Sequence, residues 1–479
     1  MCTVTTRTIT LSIGGSPMTR SLLQRLALLP AFLLTVAAAD RVTLVASGLP
    51  SNLPATVLVG RTPLASGQTT DVPAGTYTVT PRPVASGAQV YVAAPTRLTV
   101  RTAATLRVPY TRLPPGSPDP FFGTGGTLDV PVNSLDVLDT WLFTTAAAGT
   151  PFLSTTGSSI GNMRAVLVRS DGRRLGGLIN VTTPQRTLDW AYLPTPLITD
   201  RDGYLMGLSG QTNTLVRFTA QGTLDTTWKT PAQPGVLRGL LRLPDGSVLG
   251  YGGEGLAQLS RFTATGQPDT AFGTGGTLVL PEPQGGLVHT ARVLADGRVR
   301  VLVTSRQTAQ LLDLSTDGQL IPAGPPVTLP HGPQQPELSN SRRSNAVLLP
   351  DGAALIGMTS LSENRTRVVR LTPDGQLDTR FRTTDVTDTT TVVGVLPDLQ
   401  GRVLAVFHLT DQRGSVLIRY RADGTPDPTF GKGGRVTVNR ETVEGLSLTP
   451  NGQILLASHV MAFPDTETAK LRLRRFLSE

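Results

Sequence analysis

Apolar and polar residues alternate in short runs along most of the chain, and long runs with helical spacing are hard to find. Val42-Thr43-Leu44-Val45, Thr56-Val57-Leu58-Val59, Thr76-Tyr77-Thr78-Val79-Thr80 and Arg97-Leu98-Thr99-Val100 each read as a short strand with one buried face. Gly, Pro and Asp separate the runs, as in Pro73-Ala74-Gly75. Strands at this density over residues 40–112 predict a compact β-sandwich. Leu113-Pro114-Pro115-Gly116-Ser117-Pro118 follows as a stiff linker over 113–118.

From there on the pattern repeats. One turn glycine recurs at Gly149, Gly203, Gly246, Gly297, Gly352, Gly401 and Gly452, and a second at Gly172, Gly222, Gly266, Gly318, Gly375 and Gly424. Both series have a period of about 50 residues, the length of one four-stranded propeller blade. In the third unit the expected strands are Arg238 to Leu243, Ser247 to Gly250, Ala257 to Thr263 and Thr277 to Leu280. An isolated blade leaves both sheet faces bare, whereas neighbours stacked around an axis cover them. The fold class expected is therefore all-β: a seven-bladed β-propeller over 119–479 behind a small N-terminal sandwich. The seventh unit lacks a fourth strand, and Thr127-Leu128-Asp129-Val130-Pro131-Val132 is spare, so 127–132 is expected to close it.

A phrase marks the connection before the fourth strand. Its full copies are Pro268-Asp269-Thr270-Ala271-Phe272-Gly273-Thr274-Gly275-Gly276, Pro426-Asp427-Pro428-Thr429-Phe430-Gly431-Lys432-Gly433-Gly434 and Pro118-Asp119-Pro120-Phe121-Phe122-Gly123-Thr124-Gly125-Gly126. Shorter copies hold Asp225 with Trp228 and Asp378 with Phe381. An Arg stands five residues before the second turn glycine at Arg217, Arg261, Arg370 and Arg419. The Asp-Gly turn, this Arg and the Asp-x-x-Phe-Gly-x-x-Gly phrase resemble the delta-sixty repeat propellers of bacteria. The Ala-Gly-Thr-Tyr-Thr-Val run at 74–79 resembles small immunoglobulin-like modules of bacterial envelope proteins. The first resemblance implies a fold and no chemistry.

Composition narrows the chemistry. The net charge of +9 includes Arg7, Arg20 and Arg25 in a leader without acids. No basic run is interleaved with aromatics, so nucleic-acid binding is not expected. Cys2 is the only cysteine, which excludes a disulfide framework and a cysteine nucleophile from the mature chain. Leu26 to Val36 is an apolar run of signal length, followed by Ala37-Ala38-Ala39. Residues 1–39 therefore read as an export signal with Met18 as the true start. The mature protein is expected to lack a transmembrane segment and to be a monomer, secreted, periplasmic or on the cell surface.

The repeated Asp residues read as turn acceptors paired with the repeated Arg rather than as calcium ligands. Gly273-Thr274-Gly275-Gly276 lacks the Lys and helix of a phosphate loop. No catalytic residue, metal or cofactor is expected. Eight residues before the first turn glycines stand Trp141, Thr195, Arg238, His289, Ser344 and Glu444, and alignment on Pro397 adds Thr391. His408 and His459 each lie seven residues after their turn glycine. Chemical variety at a constant place marks a working face, so Trp141, Arg238, His289, His408, Glu444 and His459 are the candidate ligand-binding residues at one channel mouth. The leading expectation is a non-catalytic binding or scaffold propeller for a glycan, peptide or envelope protein. A propeller hydrolase or dehydrogenase, and a structural envelope component, are the alternatives.

Overall fold

The computed structural model describes residues 39–131 except 52, and then mainly strand residues up to 236. It also describes 237–479 except 254–255, 281–285, 306, 316–317, 323, 331–344, 361–363, 411–413 and 461–469. The expected export signal up to residue 38, Gly149, Gly172, Gly222, Trp228, Thr195, Ser344 and His331 lie outside the described residues. Every described element is a β-strand. Among the described residues no helix is long and apolar enough to cross a membrane.

The chain divides into two compact units. Among the described residues the first comprises 39–45, 56–80 and 95–107. There Thr62–Ala65, Thr56–Val59, Gly75–Pro81 and Thr96–Val100 form one four-stranded sheet. Ala39–Ser47 pairs with Thr69–Pro73 on one side and with Ala104–Pro109 on the other. Val42 and Leu44, and Val57 and Val59, are buried two apart along their strands, as the alternation predicts, and Val79 and Val100 are fully buried beside them. The second unit takes in 46–55, 81–94 and everything from Val108, because Val84–Ser86, Gln89–Val92 and Thr111–Arg112 form a separate small sheet.

Seven antiparallel sheets follow among the described residues of the second unit. The first begins with Thr140–Thr145 and the second is built on Gly203–Ser209. The third is Leu237–Arg242, Val248–Gly252, Gln258–Phe262 and Thr277–Val279, each within two residues of expectation. The fourth, fifth and sixth begin with Leu287–Val293, Ala346–Leu348 and Thr389–Pro397. The seventh runs Thr442–Leu448, Ile454–Val460 and Lys470–Phe476, and Thr127–Pro131 completes it with Thr127 opposite Arg474. First strands of successive sheets from the third to the seventh lie side by side, and Thr140–Thr145 lies beside Thr442–Leu448.

The core consists of apolar layers between sheets. Leu249, Leu259, Val288 and Val301 join the third to the fourth, and Val393, Leu404, Val443 and Leu456 join the sixth to the seventh. Burial of such side chains supplies about 25 cal/mol for each Å² removed from water. The phrase aromatics plug these layers: Phe122 and Phe430 are fully buried, and Phe272 and Phe381 nearly so. Three full phrases share one backbone: Gly123, Gly273 and Gly431 have φ of 53°, 57° and 54°. A Cβ on Gly273 would stand 2.1 Å from the Thr277 carbonyl oxygen, so this place requires glycine.

Candidate functional site

The first turn of each later sheet is the same four-residue hairpin. Gly246, Gly297, Gly352, Gly401 and Gly452 each donate their N–H to the carbonyl three residues back, at 2.8–3.1 Å. The sixth turn therefore runs Asp398 to Gly401 and is no longer than the others. Alignment belongs on Gly401, not Pro397, and the sixth-sheet counterpart of Arg238 is Val393 rather than Thr391. Val393 is buried and packs in the apolar layer.

Correct alignment exposes a shared device. The ladder between first and second strands skips a residue between Leu237 and Gly239, between Val288 and Thr290, between Val392 and Gly394, and between Val443 and Gly445. Arg238, His289, Val393 and Glu444 are thus the extra residues of β-bulges, which re-aim a side chain out of the ladder. Three of these carry unlike polar chemistry, while Val393 serves the core.

Arg238 and His289 are brought together across the third and fourth sheets. The Arg238 Nε donates to the Gly253 carbonyl at 3.4 Å. His289 is half-buried, with Nε2 sealed from solvent and without a hydrogen-bond partner among the described residues. Burial, and then the Arg238 charge, push the imidazole pKa down to about 3, with the nearby Asn345 side chain opposing them. The ring is neutral at physiological pH, so it offers a hydrogen bond and no charge. Tyr251, on the second strand of the third sheet, also reaches the fourth through Thr290, and burial pushes its hydroxyl up to about 12.

His408 lies elsewhere. Its Nε2–H donates to the Val443 carbonyl at 2.7 Å, joining the sixth sheet to the seventh beside the half-buried Glu444. Backbone pairing sets Trp141 opposite Thr155 and His459 opposite Thr442. The side chains of Trp141 and His459 lie outside the described residues. All six candidates therefore stand at first-strand beginnings or second-strand ends, away from the glycine turns. Side-chain proximity joins Arg238 to His289, and His408 to the Val443–Glu444 segment.

Counting from glycines missed Asn345 and Glu441. Glu441 is buried; its Oε1 accepts from Arg472 Nη1 at 2.7 Å, and its Oε2 from Arg474 Nε at 2.9 Å and Ser458 Oγ at 2.8 Å. Burial alone would raise its pKa, but hydrogen bonds from Arg474 and Arg472 outweigh this and hold the carboxyl low. Arg472 also grips Asp129 of the closing strand at 2.6 and 2.8 Å. Arg472 and Arg474, two apart on one strand face, were the available signal that an acid faces them.

At the opposite end, the repeated Arg and Asp form fixed pairs. Arg217 meets Asp225 at 2.7 Å, Arg370 meets Asp378 at 2.6 Å and Arg419 meets Asp427 at 2.8 Å. Arg261 meets Asp245 at 2.6 Å and Asp269 at 3.3 Å. The guanidinium groups of Arg370, Arg419 and Arg475 also lie 4.6–4.9 Å from the ring centres of Phe381, Phe430 and Phe122. These carboxylates are committed to arginine and to turn N–H groups. No group of three or more metal-ligating side chains occurs among the described residues.

Residues 350–381 and 407–430 match a family model described as a domain of unknown function with a β-propeller. No curated protein matches the chain in sequence. Among solved structures, BamB from Moraxella catarrhalis is similar at 13% identity and TM-score 0.40, covering 69% of this chain and 84% of that one. A quinonprotein alcohol dehydrogenase-like protein from Bacteroides thetaiotaomicron is similar at 10% identity and TM-score 0.43, covering 85% and 96%. A protein from Lactobacillus plantarum is similar at 13% identity and TM-score 0.42, covering 66% and 92%. None of these three likenesses bears on activity.

Proposed function

We propose that this β-propeller chain is an exported binding or scaffold protein that meets a glycan, peptide or envelope protein with the end of its sheets opposite the glycine turns. The observation that carries this reading is the bulge series. Arg238, His289 and Glu444 occupy one equivalent place in three sheets, and there a cation, a neutral imidazole and an anion are each turned out of the ladder. A packing role would favour one apolar residue at all of them, as Val393 shows. Seven blades of the delta-sixty type form the body. Pairing of Thr127–Pro131 with Lys470–Phe476 and the approach of Thr140–Thr145 to Thr442–Leu448 support a closed ring. The first unit is an immunoglobulin-like sandwich that presents or docks the propeller. Export rests on the apolar run Leu26 to Val36 before Ala37-Ala38-Ala39.

The test uses glycan and peptide arrays probed with the mature protein and with an Arg238→Ala/Glu444→Ala double variant. Specific binding that falls about tenfold or more in the variant, with unfolding nearly unchanged, is expected. Binding indifferent to both substitutions would reject the assigned face.

A further inference from the structure

The positive charge of the chain is concentrated at its front. Residues 40–112 hold seven arginines, no lysine and two acids, Asp40 and Asp71, whereas residues 113–479 hold 33 basic and 32 acidic residues. The propeller part is therefore close to neutral, and nearly all the excess beyond the leader sits in one short segment. Net charge serves solubility wherever it lies on a surface, so solubility does not account for this concentration.

Within the first unit the excess is carried by Arg41, Arg61, Arg97, Arg101 and Arg107, all exposed. Among the described residues none of these five guanidinium groups has a hydrogen bond or an ion pair. The residues before 39 contain no acid that could pair with them. Asp71 stands opposite Arg41 across the ladder, and no acid stands beside the other four. Three of the arginines follow one stretch of chain from sheet to sheet. Arg97 stands on Thr96–Val100, the edge strand of the four-stranded sheet, and Arg107 on Ala104–Pro109, the edge strand of the three-stranded sheet. Arg101 lies in the connection between them. Exposed threonines are interleaved with them at Thr99, Thr102 and Thr105, while Val100 and Leu106 turn into the core.

We propose that this stretch of the first unit binds an acidic polysaccharide, a flexible chain of sugars bearing repeated carboxylates. Each guanidinium offers a planar fork that meets a carboxylate with two parallel hydrogen bonds. The threonine hydroxyls between them donate to and accept from sugar hydroxyls. Other anionic partners fit worse. The bases of a single-stranded nucleic acid stack on exposed aromatic rings. The aromatics of residues 39–112 are the buried Tyr91 and Tyr110 and the half-buried Tyr77, whose hydroxyl donates to the Pro73 carbonyl at 2.8 Å. A bilayer surface takes up large apolar side chains, and Val45 is the one exposed among the described residues of this unit. The cations also lie on two sheets and on their connection, a path that a flexible chain can follow and a flat surface cannot. The site belongs to the first unit, whereas Arg238 and Glu444 belong to the second, and it does not depend on their role.

Biolayer interferometry of the whole mature protein against polygalacturonate, neutral dextran, duplex DNA and phosphatidylglycerol vesicles tests this. Saturable binding to polygalacturonate is expected, absent on dextran and weakened about tenfold or more when salt rises from about 0.05 to 0.5 M. The triple variant Arg97→Gln/Arg101→Gln/Arg107→Gln should lose at least about tenfold in affinity. Arg101→Gln alone should lose clearly more than Arg61→Gln, which removes the same charge from the hairpin between Thr56–Val59 and Thr62–Ala65. Thr102→Glu sets an acid beside Arg101 at an exposed position; it should weaken binding too and decides the matter where the triple variant fails to fold. Polymers that the triple variant no longer binds belong to the first unit, and ligands that it keeps report on the face carrying Arg238 and Glu444. Absence of saturable polygalacturonate binding, equal binding to dextran, tighter binding of DNA or vesicles, or equal losses in Arg101→Gln and Arg61→Gln would overturn the proposal.

Discussion

Arg475 donates through Nε to Asp119 Oδ2 at 2.8 Å across 356 positions of sequence, and so reproduces between the far ends of the propeller unit the pair that Arg419 and Asp427 make within eight. Asp119 is fully buried and Arg475 nearly so. A buried ion pair loses most when one partner is removed, since the survivor is left uncompensated. Asp119→Ala and Arg475→Met are each expected to lower unfolding free energy by about 3–5 kcal/mol. The double variant should lose much less than the two singles combined. Urea unfolding of the four proteins in a double-mutant cycle measures this, and additive losses would contradict a direct pair.

This relationship also shows how far the repeat could be read. Arg217, Arg370 and Arg419 were legible because each precedes its turn glycine by five residues and its Asp by eight. Arg475 has no such glycine after it, and its Asp lies in the spare phrase at the front. The fourth sheet hid its pair differently. Asp313 stands where the other sheets have arginine, and Arg300 from the neighbouring strand supplies the cation, at 2.7 Å. The sign is inverted while the pairing is kept. Pro397 disguised the sixth glycine turn, and the bulges at the opposite strand ends were invisible because they depend on ladder register rather than residue type. His289 and Asn345 meet only because two sheets pack.

The shared phrase conformation separates two glycines of the same motif. Gly273 and Gly275 both have positive φ, but a Cβ on Gly273 meets the Thr277 carbonyl while one on Gly275 meets nothing within 4 Å. Gly275→Ala should cost about 1–2 kcal/mol from backbone strain alone. Gly273→Ala must also displace the strand beginning at Thr277 and should cost clearly more. Thermal unfolding of the two variants, with Gly431→Ala and Gly433→Ala as a second pair, should give the same order twice.

The neutral state of His289 gives stability a defined pH dependence. Above the ordinary imidazole pKa of 6.5 the ring is uncharged in both folded and unfolded chains. As pH falls below 6.5 the unfolded chain takes up the proton and the folded chain does not, so the folded state is progressively disfavoured until about pH 3, where the buried ring also titrates. His289→Gln should flatten the urea midpoint between pH 6.5 and 4. Asp225, held to about 2 by hydrogen bonds from Thr227 and Arg217, loses its contribution only below its ordinary value of 3.8, so its effect falls outside that window. An unchanged pH slope in His289→Gln would show that the imidazole is not kept neutral.

The closing strand is the last test, because it concerns the whole second unit. Thr127–Pro131 covers one edge of the seventh sheet through five paired residues, from Thr127 opposite Arg474 to Pro131 opposite Lys470. Asp129 and the buried Glu441 share Arg472, so the strand is also held by charge, and the first of these contacts raises the Arg472 pKa above its ordinary value. Removing residues 113–132 would take away this strand, the Asp119 partner of Arg475 and the Phe122 plug together. Lys470–Phe476 would then present an unpaired ladder edge, which templates pairing with another chain. Arg472→Ala is the milder version, cutting the ionic link while leaving the backbone ladder. Light scattering and gel filtration at several concentrations should show concentration-dependent association of the deletion variant and none for Arg472→Ala, which should only unfold earlier. A monodisperse, fully folded deletion variant would mean that the strand decorates an edge already protected by something else.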